Sequence, residues 1–82
     1  MTNNNTIIVT VKFFADLRKY GPIKSEVHFP KGISINSILE KYNVPKEKMK
    51  MIILVNGLPR YNREEDLKDG DTIAFFPPLA GG

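Results

Sequence analysis

Hydrophobic and polar residues alternate in the first third of the chain, with the two-residue spacing of β-strands. Between Ile7 and Phe14, β-branched and aromatic residues alternate with polar ones, so one face of this segment is apolar. The segment from Ser25 to Phe29 alternates more weakly, and the turn-forming dipeptide Gly21-Pro22 lies between the two. We therefore predict two strands that pair as a hairpin.

The spacing then changes to that of a helix. After Ser34, apolar and aromatic side chains recur at Ile35, Ile38, Leu39 and Tyr42. The Ser34 hydroxyl can accept a hydrogen bond from an otherwise unpaired amide of the first turn, so Ser34 is the predicted N-cap. Asn43 is a typical helix stop, and Pro45 prevents the helix from running on. One amphipathic helix is predicted between these signals.

The second half of the chain contains signals for three more strands. Met51 to Val55 is a run of apolar, β-favouring residues and predicts a buried strand. The turn dipeptide Asn56-Gly57 follows, and Pro59 to Tyr61 is predicted to be a short edge strand, where proline is tolerated. A tight turn at Asp69-Gly70-Asp71 leads into a last strand, Thr72 to Phe76.

The order strand, strand, helix, strand, short strand, strand predicts a two-layer α+β fold. It is the order of the β-grasp, or ubiquitin-like, fold. We expect a mixed sheet of four to five strands packed on one main helix, with the last strand beside the first. The predicted organisation is a loose lead-in at 1–6, a β-grasp domain at 7–76 and an extended tail at 77–82.

The tail has the sequence Pro-Pro-Leu-Ala-Gly-Gly and carries a candidate reactive group. The two prolines favour an extended backbone, so the six residues can reach roughly 20 Å. Gly81 and Gly82 have no Cβ, and such an end can enter a channel too narrow for other residues. Frayed termini are common, but this one is apolar, with no Ser, Lys or Glu. We interpret the terminal carboxylate as the reactive group on which the function of the protein depends.

Composition excludes several classes of function. The 82 residues make one domain, and the absence of cysteine excludes a disulfide framework, a thiolate metal site and a cysteine nucleophile. The net charge of +3 is spread along the chain, without the basic stripe and stacking aromatics of nucleic-acid binding. No segment resembles a membrane span or a signal peptide, so we expect a cytoplasmic protein. No metal-ligand motif occurs.

Four segments together resemble a known family. They are Phe13-Phe14-Ala15-Asp16-Leu17-Arg18, Val55-Asn56-Gly57, Asp69-Gly70-Asp71 and the ending Ala74-Phe75-Phe76-Pro77-Pro78-Leu79-Ala80-Gly81-Gly82. The chain is similar to the MoaD-type small subunit of molybdopterin synthase, within the MoaD/ThiS group of ubiquitin-like sulfur carriers. The thiamine-pathway carriers also end in Gly-Gly but usually lack the Phe-Phe-Pro-Pro that precedes it.

The resemblance implies a function for the tail. An adenylating enzyme of the ubiquitin-activating type would use ATP to join AMP to Gly82, and a persulfide donor would then leave a thiocarboxylate there. The tail would enter the large catalytic subunit of molybdopterin synthase and give sulfur to a pyranopterin precursor, with Gly81, Ala80 and Leu79 lining the entry. The family implies no stably bound cofactor. Rival readings are a carrier for thiamine, cysteine or tRNA thiolation, and a protein modifier conjugated through Gly82.

Strand parity indicates where such partners dock. Phe14 and Phe76 fall on the side opposite the apolar face of their strands, so parallel neighbouring strands would bring both rings together at the root of the tail. Exposed neighbouring aromatics typically mark a docking surface, although sheet curvature or the early loop could cover them. Leu58 is predicted to extend this surface, or else to be a buried anchor of its loop. His28 is predicted to face solvent without a chemical role.

Overall fold

The computed structural model describes residues 5–45 and 50–78. Within these two segments there are five strands, one α-helix and one 3₁₀ helix: β1 (Thr6–Phe13), the 3₁₀ helix (Ala15–Lys19), β2 (Ser25–Pro30), α1 (Ile35–Lys41), β3 (Ile52–Val55), β4 (Leu58–Pro59) and β5 (Thr72–Phe76). The predicted hairpin, helix and last strand are all present. The short edge strand lies at Leu58–Pro59, and not at Pro59 to Tyr61 as predicted.

The strands form a single mixed sheet in the order β2-β1-β5-β3-β4. β1 pairs antiparallel with β2 and parallel with β5, while β5 pairs antiparallel with β3. The last strand is therefore the central one, beside the first, as the β-grasp order predicted. Together with helix α1, this topology is the β-grasp fold.

Helix α1 begins where the sequence indicated. The Ser34 side chain accepts a hydrogen bond from the backbone N–H of Ser37 at 3.2 Å, which satisfies one of the free amides of the first turn. At the other end, Asn43 has a positive φ of 58°, a backbone conformation that asparagine tolerates better than most residues. The helix therefore ends before Pro45, which could not continue it.

One face of the sheet, which we call the inner face, packs against α1 and forms the core. The core residues come from the strands, the helix and the connecting loops: Ile7, Val9, Val11, Phe13, Leu17, Phe29, Ile35, Ile38, Leu39, Met51, Ile53, Val55, Leu67, Ile73 and Phe75. The ring of Phe13 contacts Phe75 and Tyr42, with centroids 5.2 and 5.0 Å apart. No second layer is present on the outer face among the described residues.

The prediction that Met51 to Val55 is a buried strand is wrong for two of its five residues. Ile53 and Val55 are buried on the inner face, but Ile52 is 38% exposed and Leu54 is only half-buried. Successive side chains of a strand point to opposite faces of the sheet. Because α1 covers only one face, the alternate residues of β3 lie on the outer face even though all of them are apolar.

Candidate docking surface at the root of the tail

The tail begins at the end of the central strand. β5 ends at Phe76, after which Pro77 is half-buried and Pro78 is exposed. The predicted tail residues Leu79, Ala80, Gly81 and Gly82 lie outside the described residues. The structure shows where the tail begins, a point that we call its root. The tail starts at the end of β5, a strand that is paired with a neighbouring strand on each side.

The rings of Phe14 and Phe76 stack at this root. Their centroids are 4.4 Å apart and their planes differ by 2°. The parallel register of β1 and β5 explains the arrangement, because Phe13 is the partner of Phe75 and the next residue of each strand points to the outer face. The adjacency that strand parity predicted is therefore present, and both side chains are half-buried.

The backbone around Phe14 holds its ring in this position. The Phe14 N–H donates a hydrogen bond of 3.1 Å to the carbonyl oxygen of Phe75, which extends the pairing of β1 and β5 by one residue. The next residue, Ala15, has a positive φ of 55° and begins the 3₁₀ helix. A left-handed conformation costs a non-glycine residue roughly 1–2 kcal/mol. The chain thus turns away from the sheet immediately after Phe14.

Apolar side chains from β3 and β5 surround the stacked rings on the outer face. Ile52 is the register partner of Phe76, and Leu54 is the register partner of Ala74. Directly paired residues point to the same side of a sheet, so all four belong to one surface. We call this surface the outer patch and define it as Phe14, Ile52, Leu54, Ala74 and Phe76.

The contribution of β3 to the outer patch was not predicted from the sequence. Ile52 and Leu54 are apolar, as are their buried neighbours, so hydrophobicity alone did not distinguish the two faces of this strand. The usable signal was the number of helices. With one amphipathic helix for five strands, only one face of the sheet can be covered, so an apolar residue on the other face has no internal partner.

Leu58 does not adjoin the outer patch. It is 63% exposed and is the register partner of Val55, whose side chain points to the inner face. Ile52, the partner of Phe76, lies at the opposite end of β3. The prediction that Leu58 extends the aromatic surface is therefore wrong, because Leu58 and Phe76 lie at opposite ends of β3. The exposure of Leu58 also excludes the alternative that it is a buried anchor of its loop.

Positive side chains border the outer patch. Lys12 is the register partner of Ala74 on the outer face, and Lys50 lies two residues before Ile52 in the chain.

Two arginines lie beyond β4. Arg60 pairs with Glu65 in a salt bridge. Desolvation of the partly buried Arg63 guanidinium lowers its pKa from the usual value, although an arginine remains protonated at neutral pH.

The other residues singled out in the sequence take no part in this surface. His28 is exposed on β2, as predicted. Asp16 and Arg18 are exposed in the 3₁₀ helix and form no ion pair with any described residue. Within 5–45 and 50–78, no group of three acidic or histidine side chains is placed to hold a metal ion. The same segments contain no helix long and apolar enough to cross a membrane.

Comparison with known proteins agrees with the observed fold. The model of the ThiS family matches residues 11–82. A putative molybdopterin converting factor subunit 1 from Pyrococcus furiosus is 31% identical, with a TM-score of 0.70 over 89% of this chain and 99% of that one. Small archaeal modifier protein 1 from Methanosarcina acetivorans is 30% identical, with a TM-score of 0.65 over 94% and 98%.

A more distant likeness is to a complex of subunits 1 and 2 of molybdopterin-converting factor from Helicobacter pylori. The matched chain is 21% identical, with a TM-score of 0.59 over 93% of this chain and all of that one, and it supports the fold only. A comparison with curated protein sequences finds no match. The family match spans nearly the whole chain, including the Gly-Gly end, and the chain therefore belongs to the ThiS family of ubiquitin-like sulfur carriers.

Proposed function

We propose that this protein is the small, sulfur-donating subunit of a molybdopterin synthase, with the carboxylate of Gly82 as the carrier of sulfur. The observation that carries the proposal is the position of the outer patch at the root of the tail. A partner that covers Phe14, Phe76 and Ile52 holds the domain at the point where the tail begins. Six fully extended residues span at most roughly 20 Å, which would be enough to enter a partner's interior.

The chemistry begins with activation of the tail. A free carboxylate is ionised at neutral pH and reacts poorly with nucleophiles. In an adenylating enzyme, a Gly82 oxygen attacks the α-phosphate of ATP, so that pyrophosphate leaves and an acyl-adenylate forms. The terminal sulfur of a persulfide then attacks the acyl carbon and AMP leaves. A thiol finally cleaves the resulting S–S bond, which gives a disulfide and the thiocarboxylate.

The small domain supplies recognition and delivery in this scheme. Its sequence contains no cysteine, so sulfur is held on the terminus and not on a side chain. The carrier itself needs no resident cofactor, because the activating enzyme uses the ATP. In the large catalytic subunit, the thiocarboxylate sulfur would displace an oxygen substituent of the pyranopterin precursor, and water would then hydrolyse the resulting thioester, so that sulfur stays on the precursor and Gly82 returns as the carboxylate. Both enzymes would use the outer patch, so we expect them to compete for the carrier.

Two observations support the molybdopterin pathway over other sulfur carriers. The Pyrococcus furiosus protein, a putative molybdopterin converting factor subunit, is 31% identical over most of both chains. The Phe-Phe-Pro-Pro sequence that precedes the last four residues is the part of the tail that resembles MoaD proteins and not thiamine-pathway carriers. Carriers for thiamine, cysteine or tRNA thiolation share the activated Gly-Gly end and remain the alternatives within sulfur chemistry.

A specific observation also favours a second function, that of a protein modifier. The Methanosarcina acetivorans protein is a small archaeal modifier and is 30% identical over 94% of this chain. The acyl-adenylate of Gly82 would then react with the amine of a lysine on a target protein and release AMP. Both functions use the same activated terminus, so the nucleophile that attacks it distinguishes them.

The deciding experiment follows the fate of the tail. After incubation with its adenylating enzyme, ATP and a persulfide donor, we expect the intact mass to rise by the difference between sulfur and oxygen. Adding a purified large subunit and pyranopterin precursor should then yield molybdopterin and restore the original mass. The matched control lacks Gly82 and should show neither change. Conjugate ladders in cell extract without molybdopterin formation would instead identify a modifier.

A further inference from the structure

A groove of about 480 Å³ runs along the edge of the sheet beside β3 and β4. Its lining includes Lys50, Ile52, Arg60, Tyr61 and Arg63. The backbone shapes one wall, because the Arg60 N–H donates a 2.9 Å hydrogen bond to the carbonyl oxygen of Ile53 and keeps the chain beside β3 after β4 has ended. The groove is therefore bounded by paired backbone.

The charged residues that line the groove are all positive. Lys50, Arg60 and Arg63 contribute to it, and its lining contains no acidic residue. The salt bridge to Glu65 restrains the guanidinium of Arg60, and partial burial lowers the pKa of Arg63 by desolvating its guanidinium. Restrained, partly desolvated cations lose less entropy and less hydration when an anion binds.

Tyr61 lines the groove with an apolar aromatic ring that carries a polar hydroxyl group. Its side chain is 89% exposed, the highest exposure among the large hydrophobic residues that are described. Tyrosine offers a broad contact area at a low cost in conformational entropy, and its hydroxyl can both donate and accept a hydrogen bond. An exposed tyrosine between positive side chains is a typical contact residue for a partner protein.

The groove and the outer patch are continuous. Ile52 belongs to both, since it lines the groove and is the register partner of Phe76. Lys50 precedes β3 at the same end, two residues before Ile52. A protein that covers the outer patch therefore extends over the opening of the groove as well.

We propose that the groove receives an extended, acidic segment of the partner protein that docks on the outer patch. This inference rests on the docking role given to the patch under the proposed function. Carboxylates of the segment would face Lys50, Arg60 and Arg63, and its apolar residues would contact Tyr61 and Ile52. Charges arranged in this way mainly accelerate association and select the partner, while the apolar patch supplies most of the affinity.

An acidic peptide fits the groove better than a nucleic acid does. Glu64 and Glu65 lie in the chain immediately after Arg63, and the carboxylate of Glu65 already contacts Arg60. These groups would repel any anion; a peptide can place an uncharged residue beside them, whereas the backbone of a nucleic acid carries a charge at every nucleotide. Single-stranded nucleic acid also requires several stacking aromatics, whereas Tyr61 is the single aromatic residue in the described lining.

The first test measures adenylation of the full chain by its activating enzyme as pyrophosphate release. We expect Lys50→Glu to raise the carrier concentration that gives half the maximal rate by about tenfold at low salt. The difference should shrink at high salt, where exposed charges are screened. The maximal rate should not change, because Gly82 is untouched. Lys50→Arg should behave as the wild type, as should Lys31→Glu, which reverses an exposed charge at the other end of the sheet.

Equal effects of Lys50→Glu and Lys31→Glu would overturn the proposal, since only the net charge would then matter. The second test does not depend on the proposed function. In an NMR titration with a synthetic peptide of alternating glutamate and leucine, we expect shifts at Lys50, Arg60 and Tyr61 and their loss in Tyr61→Ala. Tighter binding of a single-stranded oligonucleotide to the same residues would reject the peptide in favour of a nucleic acid. If the wild type is never adenylated, the proposed function is wrong. The titration still tests whether the groove binds an acidic peptide.

Discussion

Phe14 and Phe76 stack face to face, with ring centroids 4.4 Å apart and planes 2° from parallel, at the end of the strand from which the tail leaves. The pair joins two parallel strands on the face of the sheet that no helix covers in the described structure. Its neighbours Phe13 and Phe75 also stack, but on the inner face and completely buried. Consecutive residues thus place one aromatic pair in the core and the other on the outer patch.

The contrast between Phe75 and Phe76 provides the first prediction. Phe75→Ala removes a ring that is 0% exposed, so we expect the free energy of unfolding to fall by about 3–5 kcal/mol. Phe76→Ala removes a half-buried ring and its stacking contact, for which we expect a loss of about 1 kcal/mol. Binding to the adenylating enzyme should weaken in the folded Phe76→Ala variant. Urea titration and a binding assay check the two effects, and equal destabilisation would place Phe76 in the core.

The second prediction concerns the end of the tail. Adding one residue after Gly82 should abolish adenylation and sulfur transfer, because the carboxylate that must react is displaced and a side chain enters the proposed channel. The melting temperature should be unchanged, since β5 ends at Phe76 and the core lies before it. The same residue added before Met1 is the control and should leave activity intact. An active C-terminally extended protein would contradict the mechanism.

Local patterns in the sequence predicted most of the fold. The alternation around Val9 and Val11 gave β1 and its face, and the Ser34 hydroxyl caps α1 as expected. The adjacency of Phe14 and Phe76 was also predictable, because parity within each strand and one assumption about their pairing were sufficient. These features depend on the order of residues within single elements and on one common topology.

Features that depend on pairing between distant segments were harder to predict. Ile52 and Leu54 lie on the outer face because β3 pairs with β5 in one particular register, which an all-apolar run does not indicate. Leu58 was assigned to the wrong surface for the same reason, since its position depends on pairing with Val55. The groove was missed because the loop after β4 lies beside β3 only in the folded chain.

The third prediction concerns close packing beneath the 3₁₀ helix. A Cβ placed on Gly21 would lie 2.5 Å from Cε2 of Phe13 and 3.3 Å from Cδ1 of Tyr42. Phe13 is fixed in turn by Phe75, so its ring has little room to move. Overpacking of a core costs about 1–3 kcal/mol, and we expect Gly21→Ala to lower the free energy of unfolding by that amount. A chemical denaturation curve measures the loss, and no loss would mean that Phe13 can shift.

The last prediction concerns the turn that holds the start of β5. Asn56 has a positive φ of 53°, and its side-chain amide donates to Asp71 Oδ1 and accepts from the Thr72 N–H, both at 2.9 Å. Asn56→Gly keeps the backbone conformation but loses both side-chain hydrogen bonds, which should cost about 1–2 kcal/mol. Asn56→Ala also takes on the strain of a positive φ and should cost about 1 kcal/mol more.

Thermal unfolding of the two variants separates these contributions, with His28→Ala as the reference. His28 is exposed, so its replacement should change the free energy of unfolding by less than about 0.5 kcal/mol. Because Asn56 lies at the opposite end of β5 from Phe76, the folded Asn56→Gly protein should be adenylated at the wild-type rate. Equal losses in Asn56→Gly and Asn56→Ala would show that the hydrogen bonds alone, and not the backbone conformation, make asparagine favourable at this turn.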